Sequence, residues 1–236
     1  MLTLAGCPNP NANSTTTLIR DRDEYSANAY KYKPYYQKSN LSNYSNSNAA
    51  QATAGKSMGN VIVVVDPGHG GKDPGTRSAT GVQEKKVVLN IALHLRDILS
   101  SRGARVIMTR SNDAYISLDR RADIAEEANA DLLVSIHADY VSNKSISGAT
   151  VLVGKTASSQ SKAAAVAVDR ALNDAGIATR ATRAQGLRVC QGHSRPAILV
   201  ETGFMSNTTE ALRLVNPWYQ KKVATAIADG LTNYFR

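Results

Sequence analysis

Two histidines and two glutamates stand where buried segments begin or stop, and together such groups can hold a metal ion and move a proton. His69 follows the β-branched run Val61-Ile-Val-Val-Val65, inside the glycine-rich stretch Asp66-Pro-Gly-His-Gly-Gly71. His137 closes a second apolar run, Leu132-Leu-Val-Ser-Ile136, and Glu201 follows a third, Ala197-Ile-Leu-Val200. Glu84 opens a stretch with helical periodicity just beyond the His69 loop. In an open α/β sheet, ligands bind outside the carboxyl ends of the strands, so all four groups can meet at one edge. Two imidazoles and one carboxylate are the ligand set of a catalytic zinc with one position left open. A further carboxylate is then needed to accept and return a proton.

The elements that must position these groups alternate between strand and helix. Val61–Val65 predicts a strand covered on both faces, stopped by Pro67 and Gly68. Val87, Val88, Ile91, Leu95, Ile98 and Leu99 form a helical stripe over 84–102, which Gly103 closes. A strand over 104–109 follows, then a helix with Ser117 as its N-cap running to about residue 129. Strands are expected at 132–138 and 148–153, with an alanine-rich helix at 158–173 between the latter and a short strand at 187–190. The Ala197–Val200 strand ends at Glu201, and helices over 208–215 and 217–234 complete the chain, the last with Pro217 in its first turn. The pattern predicts an α/β fold: a mostly parallel, twisted sheet flanked by helices in a single catalytic domain over 59–236.

Residues 1–58 have a different character. Six of the ten tyrosines lie there among Asn, Ser, Thr and Ala, with almost no aliphatic run, which predicts a disordered N-terminal tether. Leu4-Ala5-Gly6-Cys7 resembles the lipobox of bacterial lipoproteins. On that reading Cys7 is lipidated and anchors the chain to a membrane. Only six residues precede it, so a truncated signal sequence is expected. The 236-residue chain has a net charge of +9, and from residue 59 onward 22 basic residues face 16 acidic ones. That balance favours anionic partners, but no nucleic-acid motif accompanies it, so nucleic acid is not expected as a partner. The two cysteines, Cys7 and Cys190, have no spacing that suggests a disulfide framework or a thiolate metal site.

Four stretches together carry a specific resemblance. Asp66-Pro-Gly-His-Gly-Gly-Lys-Asp-Pro-Gly75, Glu84, Ser135-Ile-His-Ala-Asp139 and Glu201-Thr-Gly-Phe-Met-Ser-Asn207 resemble, in order, the motifs of zinc-dependent N-acetylmuramoyl-L-alanine amidases. The likeness spans about residues 60–236. It implies that His69, Glu84 and His137 bind one Zn²⁺ per chain and that Glu201 is the catalytic carboxylate. It also implies a peptidoglycan substrate, cut between N-acetylmuramic acid and the L-alanine of the stem peptide, and a place in the cell envelope, periplasmic or extracellular. Some amidases of this kind carry a long insertion after the second histidine that forms an occluding helix. Here about ten residues separate His137 from Gly148, so an open groove that needs no activator is expected.

Alternatives stand beside this reading. A zinc peptidase cutting within the stem peptide would use similar chemistry, and a non-catalytic peptidoglycan-binding lipoprotein would need none. Asp66 and Asp139 read equally as acceptors orienting the histidines or as local caps. His193 reads equally as a groove-lining or a plain loop residue, and His94 as a helix-surface residue. Arg183, Arg188 and Arg195 are candidates for one groove wall, and Lys72, Arg77, Lys85 and Lys86 for a solvated basic face or for contacts to stem-peptide carboxylates. The sequence sets no oligomeric state.

Overall fold

The β-branched run Val61–Val65 forms most of the first strand, β1 (Ile62–Pro67), and its side chains divide between two cores. Val63 and Val65 join one apolar cluster while Val64 joins the other, as the two-residue alternation of a strand requires. The computed structural model describes residues 58–78 and 80–236; the expected tether and Cys7 lie outside the described residues. Met58, the first described residue, donates its amide to the Arg102 carbonyl, and its side chain is buried in the first cluster.

After β1 come α1 (Glu84–Ser101), β2 (Arg105–Met108), α2 (Leu118–Glu127), β3 (Leu132–Asp139), β4 (Ala149–Gly154), α3 (Ser159–Asp174) and β5 (Thr179–Gln185). A short 3-10 turn at Arg188–Cys190 leads to β6 (Ala197–Phe204), α4 (Thr208–Leu214) and α5 (Pro217–Tyr234). The six strands lie in the order β2-β1-β3-β6-β4-β5. All neighbouring pairs are parallel except β4 with β6, so β4 and β5 run against the other four. On one face α1, α3 and α5 pack together over the larger cluster. On the other, Ala125 of α2 and Val189 of the 3-10 turn cover Val64, Leu133, Leu152 and Leu199.

Local sequence explains most helix starts. Ser117, Ser158, Asn207 and Asn216 each accept a backbone N–H with the side chain and so cap α2, α3, α4 and α5. Gln83 at the start of α1 makes no such bond. The first residue of that helix, Glu84, turns its carboxylate elsewhere.

Two expectations are corrected and one strand is added. Leu187–Cys190 forms a 3-10 turn, not a strand. Thr179–Gln185, unremarked in the sequence, is an edge strand with mostly exposed side chains. Glu201 does not end its strand: β6 continues to Phe204. The link from β3 to β4, residues 140–148, contains no helix.

Candidate metal centre

The ends of two neighbouring strands and the start of one helix bring the first three groups together. His69 stands in the loop leaving β1, Glu84 is the first residue of α1, and His137 lies near the end of β3, the neighbour of β1. One ligand atom from each lies within 4.8 Å of the others. His69 Nε2 is 3.1 Å from Glu84 Oε2, and His137 Nδ1 is 3.2 Å from Glu84 Oε1. The two imidazoles meet edge to face, with ring centres 4.9 Å apart. Glu84 is buried behind them with 3% of its side chain exposed, while His69 and His137 expose 22% and 20%, so the centre opens on the histidine side.

Glu84 and His69 are held from behind. Glu84 Oε2 accepts from the Thr76 amide at 3.0 Å and from its hydroxyl at 3.2 Å, and Oε1 accepts from the Ala138 amide at 3.0 Å. His69 Nδ1 contacts Asp73 Oδ2 at 2.8 Å, which leaves Nε2 facing the centre. Absent side chains matter as much. A Cβ on Gly68 would lie 2.2 Å from His137 Cε1, and one on Gly75 would lie 2.6 Å from Glu84 Oε2 and 2.7 Å from His69 Cδ2. Only glycine allows these backbones so close to the ligand atoms.

Charge follows geometry. Burial works against ionised Glu84, but hydrogen bonds from His137 and His69 and their charge hold its carboxyl well below the usual range. Burial also opposes protonation of His69, yet the hydrogen bond and charge of Glu84, then those of Asp73, raise its pKa. In His137 burial is likewise outweighed, by Glu84 and by the charge of Glu201.

Glu201 joins this group from the side. It is the register partner of His137 across β3·β6 and of Thr150 across β4·β6. Burial pushes its carboxyl up to about 7, with Asp139 and Glu84 adding to the rise and His137 opposing it. Its Oε2 is buried with no hydrogen-bond partner among the described residues. A buried carboxylate oxygen left unpaired is costly and marks a place made for a group outside the chain. Glu210 braces the neighbouring backbone, with Oε1 accepting from the Gly148 amide and Oε2 from the Phe204 amide.

Other candidates fall away from the centre. Asp66 orients no histidine: its carboxylate accepts from Thr109, Arg121 and Ser135. Asp139 accepts from the next amide, that of Tyr140. Both nitrogens of His193 serve its own loop, one against the Val189 carbonyl and one accepting from the Arg195 amide, so it is a loop residue. Arg188 pairs with Asp119, and Arg195 with Glu126 and Asn129, tying that loop to α2. Lys85 is buried against Asp113 and is no part of a solvated face. The Cys190 thiol is pushed up to about 12 by burial, which leaves it an inert side chain. Sequence reading passed over Asp73, Thr76, Arg110 and Arg121. The signal for Arg121 was its place in the buried stripe of α2 with Ala122 and Ala125.

The fold and the four groups thus define a candidate metal centre with a buried carboxyl group beside it, at the edge of a helix-flanked sheet. The family described as N-acetylmuramoyl-L-alanine amidase matches residues 63–233. The germination-specific N-acetylmuramoyl-L-alanine amidase of Bacillus subtilis (strain 168) is 34% identical over 189 residues, covering 74% of this chain and 79% of that protein. N-acetylmuramoyl-L-alanine amidase AmiA of Escherichia coli (strain K12) is 34% identical over 227 residues, covering 77% and 78%. Among solved structures, N-acetylmuramoyl-L-alanine amidase AmiC2 of Nostoc punctiforme matches with a TM-score of 0.70 at 37% identity, covering 76% of this chain and 98% of that one. This chain belongs to the N-acetylmuramoyl-L-alanine amidase family.

Proposed function

We propose that this chain is a zinc-dependent peptidoglycan hydrolase that cuts the amide between N-acetylmuramic acid and the L-alanine of the stem peptide. The observation that carries the reading is the convergence of His69, Glu84 and His137 within 4.8 Å beside the unpaired Glu201 carboxylate oxygen, in a member of this family. Two imidazole nitrogens and a carboxylate suit zinc, and the histidine-side opening leaves access for water and substrate. His69, Glu84 and His137 would hold the ion. The chemistry it supplies when bound is Lewis acidity toward water and toward the amide carbonyl oxygen.

The chain's own groups do the rest. Asp73 fixes the His69 ring, and the amides of Thr76 and Ala138 fix Glu84, so the donors are in place beforehand. Glu201, with a pKa near neutrality, accepts a proton from the attacking water and returns it to the departing L-alanine amine. The substrate places the enzyme in the cell envelope. Lipidation at Cys7 would tether it to a membrane there, through the Asn/Ser/Tyr-rich residues 8–58. No helix among the described residues is long and apolar enough to cross a membrane.

The test is to incubate the full chain with purified sacculi and identify the released products by mass spectrometry, with and without EDTA. Free stem peptides with a new L-alanine amino terminus, lost on chelation, are expected. Muropeptides cut within the stem would instead indicate the peptidase, and no release would indicate a binding protein.

A further inference from the structure

The loop that carries His69 has an unusual backbone. His69 has φ 60, the left-handed region that side chains other than glycine rarely adopt, and Gly70 and Gly71 follow at φ 123 and φ 56. Positive φ at three successive residues, strained only at His69, carries the chain out of the sheet beyond the carbonyls of Pro67, Gly68 and His69. Buried carbonyls must find donors, and two buried arginines supply them. Arg110 donates from Nε to the Pro67 carbonyl at 2.9 Å and from Nη2 to the Gly68 carbonyl at 2.6 Å. Arg121 donates to the Pro67 carbonyl at 2.7 Å and the His69 carbonyl at 2.6 Å. Both are nearly inaccessible, at 4% and 3% exposure.

The clamp is itself anchored. Arg121 pairs with buried Asp66, which Thr109 and Ser135 also bind. A Cβ on Gly70 would lie 2.9 Å from Arg110 Cδ and Nε, so the loop is seated directly on that guanidinium. Beyond it, Lys85 and Asp113 hold the carbonyl and amide of Gly71.

We propose that Arg110 and Arg121 are positioning residues for the metal centre, holding the His69 loop in the conformation from which its imidazole reaches Glu84 and His137. The proposal rests on the zinc reading above. Neither arginine lies among the three donors; they act through the backbone of one of them. Arginine is required because one planar fork satisfies two carbonyls in fixed geometry, whereas a lysine ammonium is a single rotating point of charge.

The test compares Arg121→Lys and Arg110→Lys with the unaltered full chain and with Leu172→Ala, which empties a core position in α3. Zinc affinity is measured by competition with a chromophoric chelator, thermal stability by circular dichroism, and kcat and KM on a soluble muropeptide. Each arginine variant is expected to bind zinc about 10–100-fold more weakly, the range typical of changes behind metal ligands. kcat should fall and KM stay within about twofold, since a misplaced ligand impairs the reacting centre rather than uniform substrate binding. Leu172→Ala should lose stability and keep its zinc affinity. If Arg121→Lys does not fold, Arg110→Lys decides the matter, because it leaves the Asp66 network intact. Unchanged zinc affinity in the foldable arginine variants would overturn the proposal, as would an equal loss in Leu172→Ala. Absence of zinc binding by the unaltered chain would instead overturn the reading on which the proposal rests.

Discussion

Gly68→Ala is the sharpest probe of the centre, because it acts on the proposed ligand His137 through sterics alone. The new Cβ would lie 2.2 Å from His137 Cε1 and 2.3 Å from its Nε2, about 1.2 Å short of the 3.4 Å at which ordinary contact begins. The φ of Gly68 is not positive, so alanine brings no backbone strain of its own. Buried β3 gives little, and the imidazole must swing aside by about an ångström. Metal ligation tolerates about 0.2 Å, and a 1 Å misplacement costs about 10²-fold in rate. Overpacking itself costs about 1–3 kcal/mol, so the domain should still fold. The expected result is at least a hundredfold loss of muropeptide release and a marked loss of zinc affinity, with the circular dichroism spectrum unchanged. Gly59→Ala is the control: its Cβ meets nothing within 4 Å, but its φ of 54 brings strain. That variant should lose about 1 kcal/mol of stability and no zinc. Zinc affinity in Gly68→Ala equal to that of the unaltered protein would refute the assignment of His137 as a ligand.

Further outcomes follow from the same site. Glu201→Gln should keep zinc while muropeptide release falls about 10²–10⁴-fold; retained activity with retained zinc would remove Glu201 from the mechanism. The zinc-free protein carries a pH signature of this group. Because the folded pKa of Glu201 is raised to about 7, the folded state holds the proton more tightly than the unfolded state. Its contribution is therefore lost as pH rises from about 4.5 through about 7. Glu201→Gln should gain stability relative to the unaltered protein across that window, by up to about 3 kcal/mol, measured by denaturant titration at a series of pH values; a flat difference would contradict the burial argument. EDTA should abolish muropeptide release and added zinc restore it. The short β3–β4 link predicts full activity without an activator protein, and a large rate increase on adding one would contradict an open groove.

His69, His137 and Glu201 were legible because each follows an apolar run with a residue that a buried sheet would otherwise exclude, and Glu84 because it opens a helical stripe just beyond the His69 loop. The run at Val61–Val65 marked a doubly covered strand, and the two cores meet on it. Less legible was the direction of β4. Its link to β3 is residues 140–148, short for a parallel crossover, which needs a dozen residues or more; reversal follows from that length. β5 was missed because Thr179-Arg-Ala-Thr-Arg-Ala-Gln185 is an edge strand with mostly exposed side chains, and its polar sequence carries no core signal. The arginine clamp was hidden for a different reason. Local pattern reads arginine as surface, whereas Arg110 and Arg121 are buried by partners 42 to 55 residues away, a pairing that only the tertiary fold creates.

The three grouped side chains also bear on chain entropy. His69 and Glu84 are 15 residues apart, and Glu84 and His137 are 53 apart. An ion held by all three would therefore close two loops at once, as a pair of covalent cross-links would. By the chain-entropy relation such closures are each worth roughly 3–4 kcal/mol against the unfolded ensemble. The loops enclose α1, β2, α2 and most of β3, and leave out β1 and every element from β4 onward. Zinc would thus fasten the amino-terminal half of the domain, and its removal should speed amide hydrogen exchange there first.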